Sequence, residues 1–427
     1  MLDIQYIREN KVAAEKAAKD KGEDVDLEKL LELDERRRHL ITLIDEARAK
    51  RNALSKEMKG GKPSKESIDA ARKERHKAEQ LEDELRLVVE DYTKLLKRVP
   101  NIPSEDTPIG DSEDQNQILK TVGDKTKFDF EPKPHWEMTN YIEQERAAKI
   151  SGARFSFVQG GVAKLQMAMM LWGMNQLTDA KVIEKIVDNA GLSVSKRPFT
   201  AVLPPVMMRT DAYDATTRLK PDEVTFKLAN DDLWLIGSAE HSLCAYYLND
   251  VINEEMPVRM VGYSPSFRRE VGSSGQDTRG ILRVHQFNKL EMESFSTPEQ
   301  SRDEHEFMIA VQEYIMKELK LPYQLVLKCT FDMGGPNARG VDIETWMPGQ
   351  DKYRETHSAD WLTDYQARGL NTKYVAENGK KELIHTNDAT AIADRLLIAV
   401  MENYQNADGT IRVPEVIRSY IGGVEVI

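Results

Sequence analysis

The most informative part of this sequence is YSPSFRREVGSSGQDTRGILRVHQFNKLEMESF, residues 263–295. It reads as two strands that flank a loop, residues 271–280, in which glycine, serine and aspartate favour turns. Arg268 and Glu270 are two residues apart on the first strand and therefore share a face. On the second strand the same rule places five side chains on one face, namely Arg283, His285, Phe287, Lys289 and Glu291. One surface of the predicted hairpin thus collects cations, carboxylates and an aromatic ring.

The residues of this surface permit two interpretations. A sheet commonly turns a polar face to solvent, so the charged side chains could form ordinary cross-strand ion pairs. A ring amid charged groups, such as Phe287, is unusual on a solvated face. It could stack on a base while the neighbouring arginines hold phosphates, because the guanidinium group matches phosphate geometry. From the residues alone, a salt-bridged surface and a nucleotide site both stay open.

The N-terminal quarter of the chain has a different pattern. Between residues 26 and 58, and again between 71 and 99, apolar residues recur at alternating spacings of three and four. This heptad pattern predicts two helices, each with one narrow apolar stripe. Residues 59–64, KGGKPS, contain glycines and a proline that end one helix and start the next. The sequence therefore predicts an antiparallel helical arm over about 27–98, which could be no more than a coiled-coil spacer or a dimerisation rod.

A proline-rich, polar and acidic segment, residues 100–134, follows the arm and reads as a linker. Beyond it, short β-like runs come in adjacent pairs, which favours a mostly antiparallel α+β domain. The sequence contains neither a GxxxxGK[ST] loop nor a GxGxxG loop after a strand. We therefore predict two domains, an N-terminal domain with the arm over residues 1–110 and an α+β domain over residues 111–427.

Composition limits the classes of function. The formal net charge of -12 argues against broad affinity for nucleic acid such as DNA, although lysine and arginine concentrate between residues 36 and 77. No run of about 18 apolar residues and no apolar signal core are present, so neither a membrane span nor secretion is expected. Cys244 and Cys329, the only cysteines, predict neither a disulfide framework nor a zinc site, and they fit a reducing cytoplasm.

Several segments resemble one family of proteins. Within residues 263–295, FRRE followed by RGILRVHQF and KLEM resembles motif 2 of class II aminoacyl-tRNA synthetases, and within that class the seryl enzymes. VLPPVMM, near residues 200–209, resembles motif 1, and DIETWMPGQDKYRETHS, residues 342–358, resembles a further family segment. HTNDATAIADRLLIAVMENYQ, residues 385–405, resembles motif 3 but lacks the family's glycines. The resemblance covers essentially the whole chain.

The resemblance implies a class II synthetase fold, in which helices flank an antiparallel sheet and an N-terminal arm grips tRNA. The implied activity is that of a serine–tRNA ligase: ATP activates L-serine to seryl-adenylate, and serine then passes to the 3′ end of tRNA(Ser), and also to tRNA(Sec). ATP with Mg²⁺ is implied, without zinc, in a cytoplasmic homodimer. In-line attack of the serine carboxylate on the α-phosphorus needs positioning and charge neutralisation rather than an enzyme nucleophile.

The same resemblance implies roles for single residues. Arg268 would hold the α-phosphate and the serine carboxylate and Arg395 the γ-phosphate, and these two are the implied catalytic residues. Glu270 would read the adenine amino group, and Glu355 would hold Mg²⁺. The implied ATP-binding residues are Arg268, Glu270, Arg283, Phe287, Glu355, Ser358 and Arg395.

For serine, the implied binding residues are Ser238, Glu240, Arg268, Glu291 and Thr390. Glu291 would face the ammonium and the hydroxyl of the substrate. Because the spacing of motif 3 is ambiguous, Ala389 could occupy the position of Thr390, where it would offer no hydrogen bond.

Basic residues are candidates for contacts with tRNA phosphates. Most of them could equally belong to a solvated helical face. The candidates are Arg48, Arg51, Lys56, Arg72 and Arg75 in the arm and Arg279 in the motif 2 loop.

Three other interpretations compete with a serine–tRNA ligase. A synthetase paralogue could load an amino acid onto a carrier protein, but the arm argues against it. A non-catalytic regulator would explain the altered motif 3, but Arg268, Glu355 and Arg395 are all present. A coiled-coil adaptor with a globular head leaves the charged hairpin unexplained.

Overall fold

The computed structural model describes residues 1–58, 64–138, 141–220, 224–271 and 279–427. These residues form two compact units, Met1–Ile102 and Pro103–Ile427. The domain division predicted at residue 110 lies inside the second unit. The turn predicted between the arm helices and most of the predicted motif 2 loop lie outside the described residues. Within the described ranges, no helix is long and apolar enough to cross a membrane.

The first unit is helical. Its helices are α1 (Ile4–Glu9), α2 (Lys11–Asp20), α3 (Leu27–Met58) and α4 (Lys65–Arg98). The two long helices bury Leu40, Ile44 and Ala78 along one seam. Arg37, early in α3, lies over the ring of Tyr92, late in α4, so the two helices run antiparallel. The predicted helical arm is therefore confirmed.

A charged cluster interrupts the apolar seam in the first turns of α3. The side chain of Asp34 is fully buried and lies 3.7 Å from Arg8, 2.9 Å from Arg37 and 3.1 Å from Arg38. Arg37 fills a seam position without an apolar side chain, and its guanidinium carbon is 5.0 Å from the centroid of the Tyr92 ring. Such partners are required because an unpaired carboxylate in a packed seam is strongly destabilising.

The second unit combines eight α-helices, several short 3₁₀ turns and fifteen strands among the described residues. The helices are α5 (Gln144–Ser151), α6 (Gly160–Thr178), α7 (Ala180–Ala190), α8 (Thr210–Ala215), α9 (Ala239–Cys244), α10 (Ser301–Glu318), α11 (Tyr365–Leu370) and α12 (Asp394–Asn403). The strands are β1 (Gln117–Val122), β2 (Ile142–Glu143), β3 (Phe157–Val158), β4 (Thr200–Val202), β5 (Met207–Arg209), β6 (Leu233–Leu235), β7 (Val251–Ile252), β8 (Val258–Phe267), β9 (Gln286–Ser296), β10 (Tyr323–Leu327), β11 (Arg339–Met347), β12 (Lys352–Thr363), β13 (Lys373–Val375), β14 (Lys381–Leu383) and β15 (His385–Ala393).

Eight of these strands form the main sheet, in the order β1-β10-β11-β12-β15-β9-β8-β4. Each neighbouring pair is antiparallel except β4 with β8, which is parallel. The predicted α+β class with a mostly antiparallel sheet is therefore confirmed. Part of the predicted linker is not a linker, because residues 117–122 pair with β10 as the edge strand β1.

The two faces of this sheet differ in polarity. In β9, Leu290 and Met292 are fully buried in the apolar core, together with side chains of α6, α10 and α12. Lys289 and Glu291 alternate with them and therefore lie on the opposite face, where they line a cavity. Helices thus cover one face of the sheet, and the other face carries the candidate site.

Candidate active site

A cavity of about 380 Å³ opens on the polar face of the main sheet. The β8–β9 hairpin, β12, β15 and the start of α12 contribute its walls. Most of the residues predicted to bind ATP or serine line it, namely Arg268, Glu270, Arg283, Phe287, Glu355, Ser358, Arg395, Glu240, Glu291 and Thr390. Ser238 is buried nearby, where its hydroxyl accepts a hydrogen bond from Nζ of Lys289 at 3.3 Å.

Arg268 is fixed at one end of the cavity. Its Nε donates to the carbonyl oxygen of Gly237 at 3.0 Å. Its backbone N–H donates to the carbonyl oxygen of His285, also at 3.0 Å. The guanidinium carbon lies 5.2 Å from the centroid of the Phe287 ring. A guanidinium held in this way suits the oxygens of a phosphate or a carboxylate, beside a ring on which a base can stack.

The strands of the motif 2 hairpin are shorter than predicted. β8 ends at Phe267 and β9 begins at Gln286, so the prediction that Arg268, Glu270, Arg283 and His285 lie on regular strands is wrong. The physical reason is packing. Ile281, Leu282 and Val284 lie between the two strands and bury their side chains in the apolar core, so this segment does not continue the regular strand. The charged residues still meet at the cavity, where Arg283 lies 3.7 Å from Glu270.

Glu355 and Arg395 form an ion pair across the cavity, with 2.7 Å between Oε2 and the guanidinium. Glu355 is on β12, and Arg395 is in the first turn of α12. Desolvation in the cavity opposes ionisation of Glu355, but the positive charges of Arg395 and Lys328 outweigh it and lower its pKa to about 2. Glu355 is therefore a carboxylate at neutral pH.

A buried lysine supports the wall beside Ser358. Nζ of Lys328 lies 3.1 Å from Asp342 and 3.1 Å from Asp360, and it donates to the Ser358 hydroxyl at 2.8 Å. Gly340 makes room for it, since a Cβ at that position would lie 2.2 Å from Cε of Lys328. Sequence reasoning missed Lys328, although a glycine inside an apolar strand signals the close approach of another group.

Glu291 and Thr390 meet directly across β9 and β15 in the middle of the cavity. The carboxylate of Glu291 is 1 % exposed and lies 2.5 Å from Nζ of Lys289. Burial raises the pKa of Glu291 to about 7, against the opposing effect of Lys289. This group therefore changes its charge near physiological pH.

A β-bulge at Ala391 decides which side chains of β15 face the cavity. Thr390 is paired with Glu291, but the next paired residue is Ile392, opposite Leu290. Ala389 and Ile392 point into the apolar core, whereas Thr390 lines the cavity. Of these two candidate residues, only Thr390 therefore faces the cavity.

Glu240 is held at the inner end of the cavity by Arg218, a residue that sequence reasoning missed. Nε of Arg218 lies 2.6 Å from Oε1 of Glu240, and its Nη2 lies 3.0 Å from Oδ2 of Asp388. Burial opposes ionisation of Glu240, but Arg218 and neighbouring cations outweigh it and lower its pKa to about 2. A second carboxylate of fixed charge thus faces the cavity.

Behind these groups, three acids form a row across the sheet. Asp360 is paired with Asp388 between β12 and β15, and Asp388 is paired with Glu293 between β15 and β9. Glu293 is fully buried, and neither of its carboxylate oxygens has a hydrogen-bond partner among the described residues. Burial raises the pKa of Glu293 and of Asp388 well above the usual range, so both favour the protonated form.

The tRNA-binding candidates are not part of this cavity. Arg48 and Arg75 form ion pairs with Glu82 and Glu79 in the arm. In the described part of the arm, Lys56 and Arg72 form no ion pair. Arg51 donates to the side chain of its neighbour Asn52 at 3.0 Å, and Arg279 lies 4.5 Å above the ring of Trp136.

The donor set of the cavity provides few protein ligands for a metal ion. Among the described residues, no group of three or more histidine, cysteine, aspartate or glutamate side chains is placed to hold one. Glu355 and Ser358 offer hard oxygen atoms on β12, as Mg²⁺ prefers. They fit an ion that takes its remaining ligands from substrate phosphates and water.

Comparison with known proteins agrees with this geometry. Residues 225–404 match the family model described as the tRNA synthetase class II core domain (G, H, P, S and T). Residues 1–103 match the one described as the seryl-tRNA synthetase N-terminal domain. The fold and the cavity thus define a class II aminoacyl-tRNA synthetase.

Similarity to individual proteins is more specific. The chain is 38 % identical over 439 residues to a serine–tRNA ligase of Exiguobacterium sibiricum, with 100 % of each chain covered. A crystal structure of seryl-tRNA synthetase from Pyrococcus horikoshii complexed with ATP is similar with a TM-score of 0.85 and 33 % identity, over 100 % of this chain and 99 % of that chain. The crystal structure of the cytoplasmic serine–tRNA ligase of Naegleria fowleri in complex with AMP has a TM-score of 0.80 and 26 % identity. That similarity covers 100 % of this chain and 98 % of the other chain. This chain belongs to the seryl-tRNA synthetase family, and the prediction of an aminoacyl-tRNA ligase is confirmed.

Proposed function

We propose that the cavity binds ATP and L-serine, joins them as seryl-adenylate, and transfers serine to the 3′ end of tRNA(Ser). The observation that carries this proposal is the convergence of Arg268, Phe287, Glu291, Glu355 and Arg395 on one cavity. These side chains come from distant segments of the chain, and together they provide a base-stacking ring, phosphate-binding cations and a carboxylate for an amino group.

The ATP end of the proposed site is built around Arg268 and Arg395. Adenine stacks on Phe287, Glu270 accepts from its amino group, and Arg268 holds the α-phosphate. Arg283 lies near the phosphates, and Arg395 binds the γ-phosphate. Both arginines are held in place, Arg268 by the Gly237 carbonyl and Arg395 by Glu355, so little reorganisation is needed when charge develops.

The serine end is built around two carboxylates. Glu240 and Glu291 bind the ammonium group, and Glu291 with Thr390 binds the hydroxyl. We choose Thr390 over Ala389 because Ala389 is fully buried in the apolar core. Ser238 acts through Lys289, which its hydroxyl contacts. Alanine leaves the polar groups of this pocket unpaired, and threonine is rejected by its additional methyl group.

The reaction then proceeds by in-line displacement. The serine carboxylate attacks the α-phosphorus of ATP and pyrophosphate leaves. The terminal hydroxyl of tRNA then attacks the acyl carbon of the adenylate, the bond from that carbon to the phosphate oxygen breaks, and AMP leaves. Mg²⁺, held by Glu355 and Ser358 together with ATP, would supply charge neutralisation at the phosphates. Arg268 neutralises the developing charge at the α-phosphate and orients the serine carboxylate, so the protein works by positioning rather than through a nucleophile.

Further properties belong to the same proposal. We expect tRNA(Sec) to be a second substrate, and the enzyme to be a homodimer with motif 1 at the interface. Cys244 and Cys329 are free thiols, which suits a reducing cytoplasm. Contacts of the arm with tRNA are assigned to its basic residues, of which Lys56 and Arg72 are the best candidates because no ion pair within the described arm competes for them.

The proposal predicts ATP–pyrophosphate exchange that depends on serine. We expect exchange with serine to exceed exchange with alanine or threonine at least about 100-fold, since the proposed site hydrogen-bonds the serine hydroxyl and discriminates against the additional methyl group of threonine by size. Cysteine is the closest competitor to include. Exchange with none of these amino acids from folded protein would instead favour a non-catalytic relative with an altered motif 3.

Substitution of Glu291 tests the serine end. Glu291→Ala should abolish serine activation, and Glu291→Gln should lower kcat/KM for serine about 100-fold, because each removes a buried charge that the substrate ammonium requires. Since the pKa of Glu291 is raised to about 7, the carboxylate forms as pH rises through 7, and wild-type kcat/KM should fall with decreasing pH below that value. Loss of this dependence in Glu291→Gln supports the role, whereas normal exchange in Glu291→Ala with an intact fold excludes it.

A further inference from the structure

Arg218 lines the cavity and belongs to none of the recognised motifs. It follows α8, and its side chain is 17 % exposed. Nε lies 2.6 Å from Oε1 of Glu240 on α9, and Nη2 lies 3.0 Å from Oδ2 of Asp388 on β15. One guanidinium therefore joins two buried acidic side chains that are distant in the chain.

The contacts of Glu240 are distributed unevenly over its two oxygens. Oε1 accepts from Arg218 and also from Nε2 of Gln366, at 2.9 Å. Gln366 is oriented in turn, since its own oxygen accepts from the Thr386 hydroxyl at 2.9 Å. Oε2 lies 4.0 Å from Nε2 of His241, whose pKa burial lowers to about 3, so that ring is neutral. Oε1 is thus committed to the protein, and Oε2 is the oxygen that can meet a cationic ligand.

We propose that Arg218 is a positioning residue for the amino group of the amino-acid substrate, which it serves by keeping Glu240 ionised and turned toward the cavity. This inference rests on the proposed function. It assigns to Arg218 a role in amino-acid affinity that is separate from ATP binding, because its contacts are with Glu240 and Asp388 rather than with the phosphate-binding arginines.

Electrostatics support the same role. The groups facing Glu240 are Arg218, Lys289 and His241, together with the acids Asp388, Glu291 and Glu293. Burial alone would raise the pKa of Glu240, and Arg218 is the cation with the largest opposing effect. Without it, burial would favour a protonated Glu240, which cannot attract an ammonium group.

The test is the Arg218→Gln variant of the full-length chain, assayed by ATP–pyrophosphate exchange between about pH 5.5 and 9. We expect KM for serine to rise at least about 10-fold while KM for ATP stays within about 2-fold. The acid limb of kcat/KM should become steeper, because both Glu240 and Glu291 must then lose a proton. Arg218→Lys, which keeps the charge, should restore part of the affinity for serine.

Arg259→Gln is the matched control. Arg259 is also buried and paired to a carboxylate, Glu304, but it does not line the cavity. The Arg259→Gln variant should unfold at a lower temperature than the wild type, without a selective change in KM for serine. The proposal would be overturned if Arg218→Gln left both the KM for serine and the acid limb of kcat/KM unchanged. It would also be overturned if KM for serine and KM for ATP rose equally in both Arg218→Gln and Arg218→Lys. Absence of exchange in the wild-type chain would instead overturn the proposed function itself.

Discussion

Arg268→Ala should reduce kcat/KM for serine-dependent ATP–pyrophosphate exchange about 1,000-fold. The guanidinium is proposed to contact both reacting groups, the α-phosphate and the serine carboxylate, so its removal affects attack and charge neutralisation together. Removal of one preorganised donor from an active site commonly costs about 100- to 1,000-fold, and a charged fork that serves two substrates belongs at the upper end. The effect should appear in kcat as well as in KM, since the contact strengthens as the phosphorus is attacked.

The neighbouring residue provides the control for this variant. Arg269 is exposed, and its guanidinium carbon lies 6.0 Å from the centroid of the Phe226 ring, outside the cavity. Arg269→Ala should leave exchange within about 3-fold of wild type, consistent with the small effect of most surface substitutions. Arg268→Lys keeps the charge but loses the fork, and should recover only part of the activity. Exchange by Arg268→Ala at the level of Arg269→Ala would remove Arg268 from the mechanism.

Replacement of residues 30–97 by a short flexible linker should separate the two half-reactions. Exchange should stay within a few-fold of wild type, because the described residues that line the cavity all belong to the second unit. Charging of tRNA(Ser) should fall about 1,000-fold, since several phosphate contacts are lost at once and each contributes to affinity. The measurements are exchange and aminoacylation on the same preparation.

Point variants show whether charge or length of the arm matters. Lys56→Glu and Arg72→Glu should weaken tRNA charging and reduce its dependence on salt, whereas Arg75→Glu should do so less because Arg75 is engaged with Glu79. Unchanged charging by the shortened chain would contradict a role of the arm in tRNA binding and would favour a spacer.

Periodicity explains which parts of this structure could be predicted from the sequence. The arm follows from a heptad pattern sustained over two helices, because one narrow stripe on each can be buried only by the other. Phe287, Lys289 and Glu291 could be assigned to one face because β9 is regular from Gln286 to Ser296. Arg283 could not be assigned in this way, since burial of the apolar residues around it ends the regular strand.

The alternation of side chains between the two faces of a strand is also interrupted within β15, where the bulge adds one residue between Thr390 and Ile392. A sequence does not show such an insertion, so Thr390 and Ala389 could not be distinguished from spacing. Arg218 and Lys328 were missed for another reason. Their partners are distant in the chain, and a single buried cation leaves no periodic signal.

The buried Asp34 gives the arm a property that its apolar seam alone could not provide. Heptad side chains are nearly interchangeable, so two such helices could slide past one another by seven residues, about 10 Å, with little loss of apolar contact. Asp34 keeps Arg37 and Arg38 as partners in any register because all three belong to α3, but sliding would take the ring of Tyr92 on α4 away from Arg37. A cation–π contact of this kind contributes about 0.5–1 kcal/mol. By pairing with Arg37, Asp34 holds that guanidinium over Tyr92, so the charged cluster favours one register of α4 against α3 and one placement of the basic residues of α4 relative to those of α3.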